Sequence, residues 1–209
     1  KGSFATLANG FQFHYHDGGQ GDVVLFLHGS GTGASGFTNF KKNIDFFQRN
    51  GFRTIVPDLP GYGFSDKPED EIYTMSFFNN LLIELLDHLN IKNCSVVGNS
   101  LGGALAMGLS LEQPKRFSKL VLMAPGGLED FSAYQEMPGI KKLLGDFLGG
   151  EMNQEKIEGL LKLFPYDPSF VTKDIIEDRM EILPLMNQQV LASMDIPNLS
   201  EKLKNNQNF

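Results

Sequence analysis

The sequence predicts an α/β fold in which helices cover both faces of a mostly parallel sheet. Three observations predict it. Continuous apolar runs, the mark of strands buried on both faces, recur up to Gly127. Stretches of helical period separate them, as parallel strands require. After Gly127 the strand-like runs stop and only helical patterns follow.

Taken in order, Asn9-Gly10 is a hairpin turn signal ahead of "FQFHYHD". His14 and His16 alternate on that strand and are expected at its surface. "VVLFLHG" (Val23–Gly29) is a buried strand ending in glycine. "FRTIVPDLPG" (Phe52–Gly61) carries the next strand into a Pro/Gly loop. Met75–Leu89 is the clearest helix, with Phe77/Phe78, Leu81/Leu82, Leu85/Leu86 and Leu89 at helical spacing. "CSVVGNS" (Cys94–Ser100) and "KLVLMAPGG" (Lys119–Gly127) are two further strands. Then come "MPGIKKLLGDFLGG", "NQEKIEGLLKLF", "TKDIIEDRMEIL" and "LMNQQVLASM", the first three separated by Gly149-Gly150 and Pro165/Pro168. Thr172 reads as a helix N-cap with Asp174 in the first turn. The expected division is a sheet-bearing core over 1–127, an inserted helical cap over 128–199, and the start of a return to the core over 200–209.

Composition narrows the function classes. The chain has 209 residues, room for one sizeable domain with an inserted cap. A net charge of −7 argues against a general nucleic-acid binder and offers no basic patch to an anionic membrane. No run approaches the roughly eighteen apolar residues of a membrane span. The N-terminus lacks a signal pattern, so a cytosolic location is expected. The lone cysteine, Cys94, cannot form an intrachain disulfide or a cysteine zinc site and reads as a buried thiol. The expected partner is a small-molecule substrate, with no cofactor, metal, nucleic acid or membrane. The sequence is compatible with a homo-oligomer.

Two motifs carry chemistry. Gly98-Asn99-Ser100-Leu101-Gly102 fits Gly-x-Ser-x-Gly between a strand and a small-residue helix. In so tight a turn, side chains two residues either side of the serine would collide. The turn lifts the hydroxyl out at the top of the sheet, beside a helix N-terminus that favours negative charge. Ser100 is the candidate nucleophile. At the Ser100 turn itself, no Gly-x-Gly-x-x-Gly or P-loop lysine supports a phosphate loop instead. Attack on a carbonyl also needs two fixed N–H donors for the oxyanion. Leu101, after the nucleophile, supplies one, and Ser30 in His28-Gly29-Ser30-Gly31 is placed to supply the other. His28 reads as a structural hydrogen-bonder, His88 as a helix-end residue, and no histidine follows Ser100. Arg179 lies on an apolar helix stripe with Ile175, Ile176, Ile182 and Leu183. From the residues alone, two readings stay open for it: a snorkelling side chain, or a guanidinium aimed into a cleft between cap and core.

Together "HGSG", "DLPGYGFSDKP", "GNSLGG" and "LVLMAPGG" resemble the α/β-hydrolase superfamily in order and spacing. "HGSGTGASGFTNF", "GNSLGGALA", "MAPGGL" and "LFPYDPSFVTKDIIEDRMEI" resemble one branch of it, the meta-cleavage product hydrolases. These cut a carbon–carbon bond in ring-opened aromatic catabolites, the 2-hydroxy-6-oxo-dienoates. The resemblance implies Ser100 as catalytic serine, Ser30 and Leu101 as oxyanion-hole residues, and Asn39, Asn99 and Arg179 as ligands of the dienoate's carboxylate and oxo groups. It also implies a catalytic acid and histidine after the cap. The sequence ends at "SEKLKNNQNF", about where the next strand should begin. The last strands, the acid and the base are therefore expected to lie on a missing C-terminal segment, leaving this polypeptide inactive alone and Lys119–Ala124 an open apolar edge. Asp146, Asp167, Asp174 and Asp195 lie in the cap and do not fill the gap. The alternatives are a carboxylesterase of the same fold and a non-catalytic relative that has lost the base.

Overall fold

The computed structural model describes residues 2–117, 119–148 and 152–206. Gly149 and Gly150, read as a helix break, and the last three residues of the 200–209 segment lie outside the described residues. A hairpin opens the chain, with β1 (Ser3–Thr6) antiparallel to β2 (Gln12–Gly18). Gly10 turns it at φ 88°, a conformation that costs glycine nothing. There follow β3 (Asp22–Leu27), α1 (Gly36–Arg49), β4 (Phe52–Pro57), the short β5 (Tyr73–Thr74), α2 (Met75–His88), β6 (Ser95–Asn99), α3 (Leu101–Glu112) and β7 (Lys119–Met123). The main sheet runs β1-β2-β4-β3-β6-β7, and the four strands from β4 to β7 are mutually parallel.

Period-two alternation along β3 explains the two-sided core. Leu25 and Leu27 pack in a large cluster with Phe78, Leu82 and Leu85 of α2 and Leu105 and Leu109 of α3. Val24 and Phe26 face the other way, into a smaller cluster with Phe40 and Ile44 of α1. Helix α1 begins with a reciprocal cap between Ser35 and Thr38, and Thr74 caps α2 by accepting the Phe77 N–H at 3.1 Å. Cys94 is buried, as expected, and burial pushes its thiol up to about 12. At the far edge of the sheet β7 leaves Val121 56%, Leu122 37% and Met123 48% exposed, the open apolar edge expected from the sequence.

After Gly127 the chain is largely helical, in α4 (Phe131–Glu136), α5 (Pro138–Leu148), α6 (Gln154–Leu161), α7 (Lys173–Ile182) and α8 (Gln188–Ala192). Thr172 occupies the N-cap position of α7, but its hydroxyl bonds the Asp174 carboxylate instead of a backbone N–H. One element contradicts the expectation of helices alone. β8 (Met194–Asp195) pairs in parallel with β5 to make a second, two-stranded sheet. Two residues are too few to leave a period-two signal. A final helix, α9 (Ser200–Lys204), follows the point where the Leu199 N–H reaches back to the Gly127 carbonyl at 2.7 Å. Among the described residues, no helix is long and apolar enough to cross a membrane, and no group of three or more metal-ligating side chains comes together.

The hairpin histidines also depart from expectation. His14 is buried, 7% exposed, and half-buried His16 stacks on Phe37. β2 lies between β1 and β4, so both its edges are paired, and side chains from other elements cover its two faces. Phe13 and Tyr15 fill one side. On the other, His14 meets the rings of Phe4 and Phe64, and its Nδ1 lies 2.7 Å from Asp58 Oδ2. Asp58 is 1% exposed and also accepts the N–H groups of Gly36 at 2.8 Å and Phe64 at 3.0 Å. Burial alone would raise its carboxyl, but the hydrogen bonds from His14 and Phe64 hold it below the ordinary carboxylate range. This carboxylate ties the start of α1 and the "DLPGYGFSDKP" loop to the sheet.

Candidate active site

The site is built where β6 turns into α3. Ser100 sits in that turn at φ 51° and ψ −113°, a strained conformation for a residue with a Cβ. The flanking glycines explain how the turn closes. A Cβ on Gly98 would lie 2.6 Å from the Gly102 carbonyl carbon and 2.8 Å from Gly103 Cα. One on Gly102 would lie 2.8 Å from the His28 carbonyl oxygen and closer still to that of Leu27. Only hydrogen fits in either place. The Ser100 N–H donates to Met123 O at 3.0 Å, and its carbonyl accepts the Gly126 N–H at 2.9 Å. The backbone is thus tied to the loop that follows β7.

A serine ahead of a helix commonly uses its hydroxyl to cap a backbone N–H. Ser100 does not, and its Oγ has no hydrogen-bond partner among the described residues. The strained backbone therefore presents a free hydroxyl at the N-terminus of a twelve-residue helix.

The loop after β3 lies against this turn. The Gly102 N–H donates to His28 O at 3.1 Å, and a Cβ on Gly29 would lie 3.1 Å from Ser100 Cβ. Ser30 is half-buried, and a Cβ on Gly31 would meet nothing within 4 Å, so the loop borders open space. The N–H groups of Ser30 and Leu101, the two expected oxyanion donors, have no acceptor among the described residues.

His28 is structural. It is 0% exposed, its ring packs on Tyr62, its Nε2 accepts the Leu59 N–H at 2.9 Å, and its Nδ1 lies 2.7 Å from Gly29 O. The donor to Nε2 is a backbone amide, so the proton sits on Nδ1 and the ring is the neutral tautomer. Burial lowers its pKa to about 4. The unfolded chain, with an ordinary histidine near 6.5, binds the proton first as pH falls. Stability should therefore decline from about pH 6.5 and lose about 3 kcal/mol by about pH 4. Urea unfolding across that range checks this, and a flat profile would contradict it.

Arg179 turns inward. From α7 it crosses to the β3–α1 region, where Nη2 donates to Asn39 Oδ1 at 2.6 Å and Nη1 to Thr32 O at 3.2 Å. Its Nε is shielded from solvent and unpartnered. Burial lowers the guanidinium to about 10, so it remains a cation at neutral pH. The snorkelling reading is thus corrected: Ile176 and Ile182 of α7 are buried, and the Arg179 head turns in with them to Asn39 and Thr32. Asn99 stands apart from this pair, beside Ser100, with Nδ2 donating to Met123 O at 3.2 Å. Sequence reasoning missed the Thr32 carbonyl, the Met186 sulfur that accepts the Gly33 N–H at 3.0 Å, and Lys41, which bonds α7. No local pattern marks any of these, because each partner lies more than a hundred residues away in the chain.

This geometry can be compared with known proteins. The alpha/beta hydrolase fold family matches residues 22–156, which include the β3–α1 loop and the Ser100 turn. The chain belongs to the alpha/beta hydrolase fold family. Within that family it resembles the meta-cleavage product hydrolases. It is 38% identical over 171 residues to a 2-hydroxy-6-oxo-6-phenylhexa-2,4-dienoate hydrolase from Burkholderia cepacia, covering 81% of this chain and 59% of that one. It is 37% identical to a 2-hydroxy-6-oxononadienedioate/2-hydroxy-6-oxononatrienedioate hydrolase from Comamonas testosteroni, covering 81% and 59%. Among solved structures, a variant of the meta-cleavage product hydrolase CumD superposes with a TM-score of 0.76 at 30% identity, covering 99% of this chain and 70% of that one. This alpha/beta hydrolase fold chain thus spans 59% of the length of each of those two curated relatives.

Proposed function

We propose that this chain carries the nucleophile, oxyanion donors and cap of a serine-dependent hydrolase acting on a carbon–carbon bond of 2-hydroxy-6-oxo-dienoates. The observation that carries the reading is the inward Arg179, joined to Asn39 above the loop that runs from His28 to Ser35. A shielded cation whose buried Nε–H is unpaired calls for an anion. A hydrolase of neutral esters has no use for one. A planar carboxylate matches the guanidinium fork.

In the proposed mechanism, Arg179 and Asn39 hold the substrate's carboxylate end, and Asn99 orients the oxo end near Ser100. The N–H groups of Ser30 and Leu101 receive the oxyanion formed when Ser100 Oγ attacks the oxo carbon. The Ser100 proton passes to the general base. With the 2-hydroxy group in its keto form and a proton already on the carbon next to the oxo group, cleavage leaves the electron pair as a delocalised dienolate, and water then hydrolyses the acylated serine. The general base and its acid lie outside this chain, on a further segment of the same fold that would also cover β7. The proposed division is a core over 1–127, a cap over 128–199 and a return to the core from 200. The Leu199 N–H to Gly127 O bond supports it, because it joins the two ends of the cap. The proposed location is the cytosol, where the single reduced thiol needs no pairing.

The test compares a dienoate acid with its methyl ester. A charged hydrogen bond is worth about 1.5–3 kcal/mol, so Arg179→Ala should weaken the acid by about one to two orders of magnitude and spare the ester. Arg179→Lys should recover only part, since the fork is lost. Equal loss for both ligands would make the residue structural and remove the best support for carbon–carbon cleavage.

A further inference from the structure

Helix α7 is held to α1 by an ion cluster beside Arg179. Lys41 Nζ lies 2.7 Å from Asp174 Oδ2, bonds Asp178 Oδ2, and reaches the Asp174 carbonyl at 3.3 Å. Asp174 and Asp178 are four residues apart, so both present the same face of α7. The Lys41 and Asp178 side chains are only 17% and 26% exposed, which distinguishes them from a surface pair such as Lys173–Glu177, at 82% and 61%. Surface pairs contribute little; shielded ones are less screened by salt. Asn39 precedes Lys41 by two positions on α1. One short stretch of α1 thus grips α7 with a cation and meets Arg179, the residue next to Asp178, with an amide. A backbone contact fixes the same point: a Cβ on Gly33 would lie 2.5 Å from the Arg179 carbonyl oxygen.

We propose that Lys41 is a positioning residue for carboxylate recognition: by gripping Asp174 and Asp178 it sets the register of α7 and keeps the Arg179 fork aimed before the ligand arrives. The inference rests on the reading that Arg179 binds the substrate's carboxylate. A bidentate fork tolerates little misplacement, and a shift of about one ångström in a positioned group can be felt strongly. Freed from Lys41, α7 can roll or slide, and the incoming carboxylate must order it.

The experiment is an equilibrium titration with 2-hydroxy-6-oxo-6-phenylhexa-2,4-dienoate and with its methyl ester, a readout that needs no turnover. Lys41→Met should weaken the acid by about three- to tenfold and leave the ester unchanged. Lys41→Arg should restore most of the loss. Asp178→Asn, which breaks the grip from the other side, should reproduce the selectivity if Lys41→Met folds poorly. In an Arg179→Ala background, Lys41→Met should have no further effect, because coupled residues are not additive. If the unaltered protein does not prefer the acid, or Arg179→Ala weakens acid and ester alike, the carboxylate reading has failed. If Arg179→Ala is selective for the acid but Lys41→Met and Asp178→Asn are not, the reading stands and the positioning role of Lys41 is overturned.

Discussion

Ser100→Ala should lower kcat by roughly a millionfold in a form of the protein that carries an acid and a base, since a catalytic serine acts as a unit with its partners. The same position offers a second reading with the opposite sign. Ser100 is held at φ 51°, where a side chain is strained and glycine is not. Ser100→Gly should therefore be as inactive as Ser100→Ala yet more stable than the unaltered protein by about 1 kcal/mol. Urea unfolding of both variants beside a burst assay separates the effects. Retained turnover in Ser100→Ala would sink the nucleophile assignment. A Gly variant less stable than the parent would mean that the turn, and not the chemistry, requires the serine.

The oxyanion loop gives the next largest effect. If the Ser30 N–H is the donor, Ser30→Ala should be mild and Ser30→Pro should cost about 10²–10³ in rate, the usual loss of one such donor. Proline removes the N–H and fixes φ at this half-buried loop position, whereas alanine keeps the N–H. The comparison is kcat for the two variants, with circular dichroism to show that both fold. Equal and large losses would mean that the hydroxyl matters and would move the donor role elsewhere.

Much of this was readable from local sequence. β3, β4 and β6 announced themselves as apolar runs because burial on both faces favours apolar positions throughout, α2 as a period, and β7 as an apolar run although it lies exposed at the sheet edge. The Ser100 turn was readable for a different reason: its geometry excludes every residue but glycine at Gly98 and Gly102. What escaped was set by contacts between distant segments. His14 and His16 alternate with Phe13 and Tyr15, just as a half-exposed strand would; their side is covered by Phe4, Phe37, Asp58 and Phe64, arriving from other elements. Arg179 lay on an apolar stripe in either reading, and the choice depended on Asn39 and Thr32, far upstream. Nothing local marks Lys41, whose partners Asp174 and Asp178 lie more than a hundred residues downstream.

The bond from Leu199 to Gly127 has a consequence for how such proteins diversify. The chain leaves the loop after β7 at Gly127 and comes back to it at Leu199, so under the proposed division the excursion between them behaves as a cassette. Closing a longer excursion costs only slightly more than closing a shorter one, because the entropy of closure grows with the logarithm of length. Segments of different size and lining can therefore be grafted at that junction while Ser100, Leu101 and Ser30 stay where the strands put them. Selectivity becomes heritable apart from reactivity, and one scaffold can be refitted for new substrates without rebuilding its chemistry.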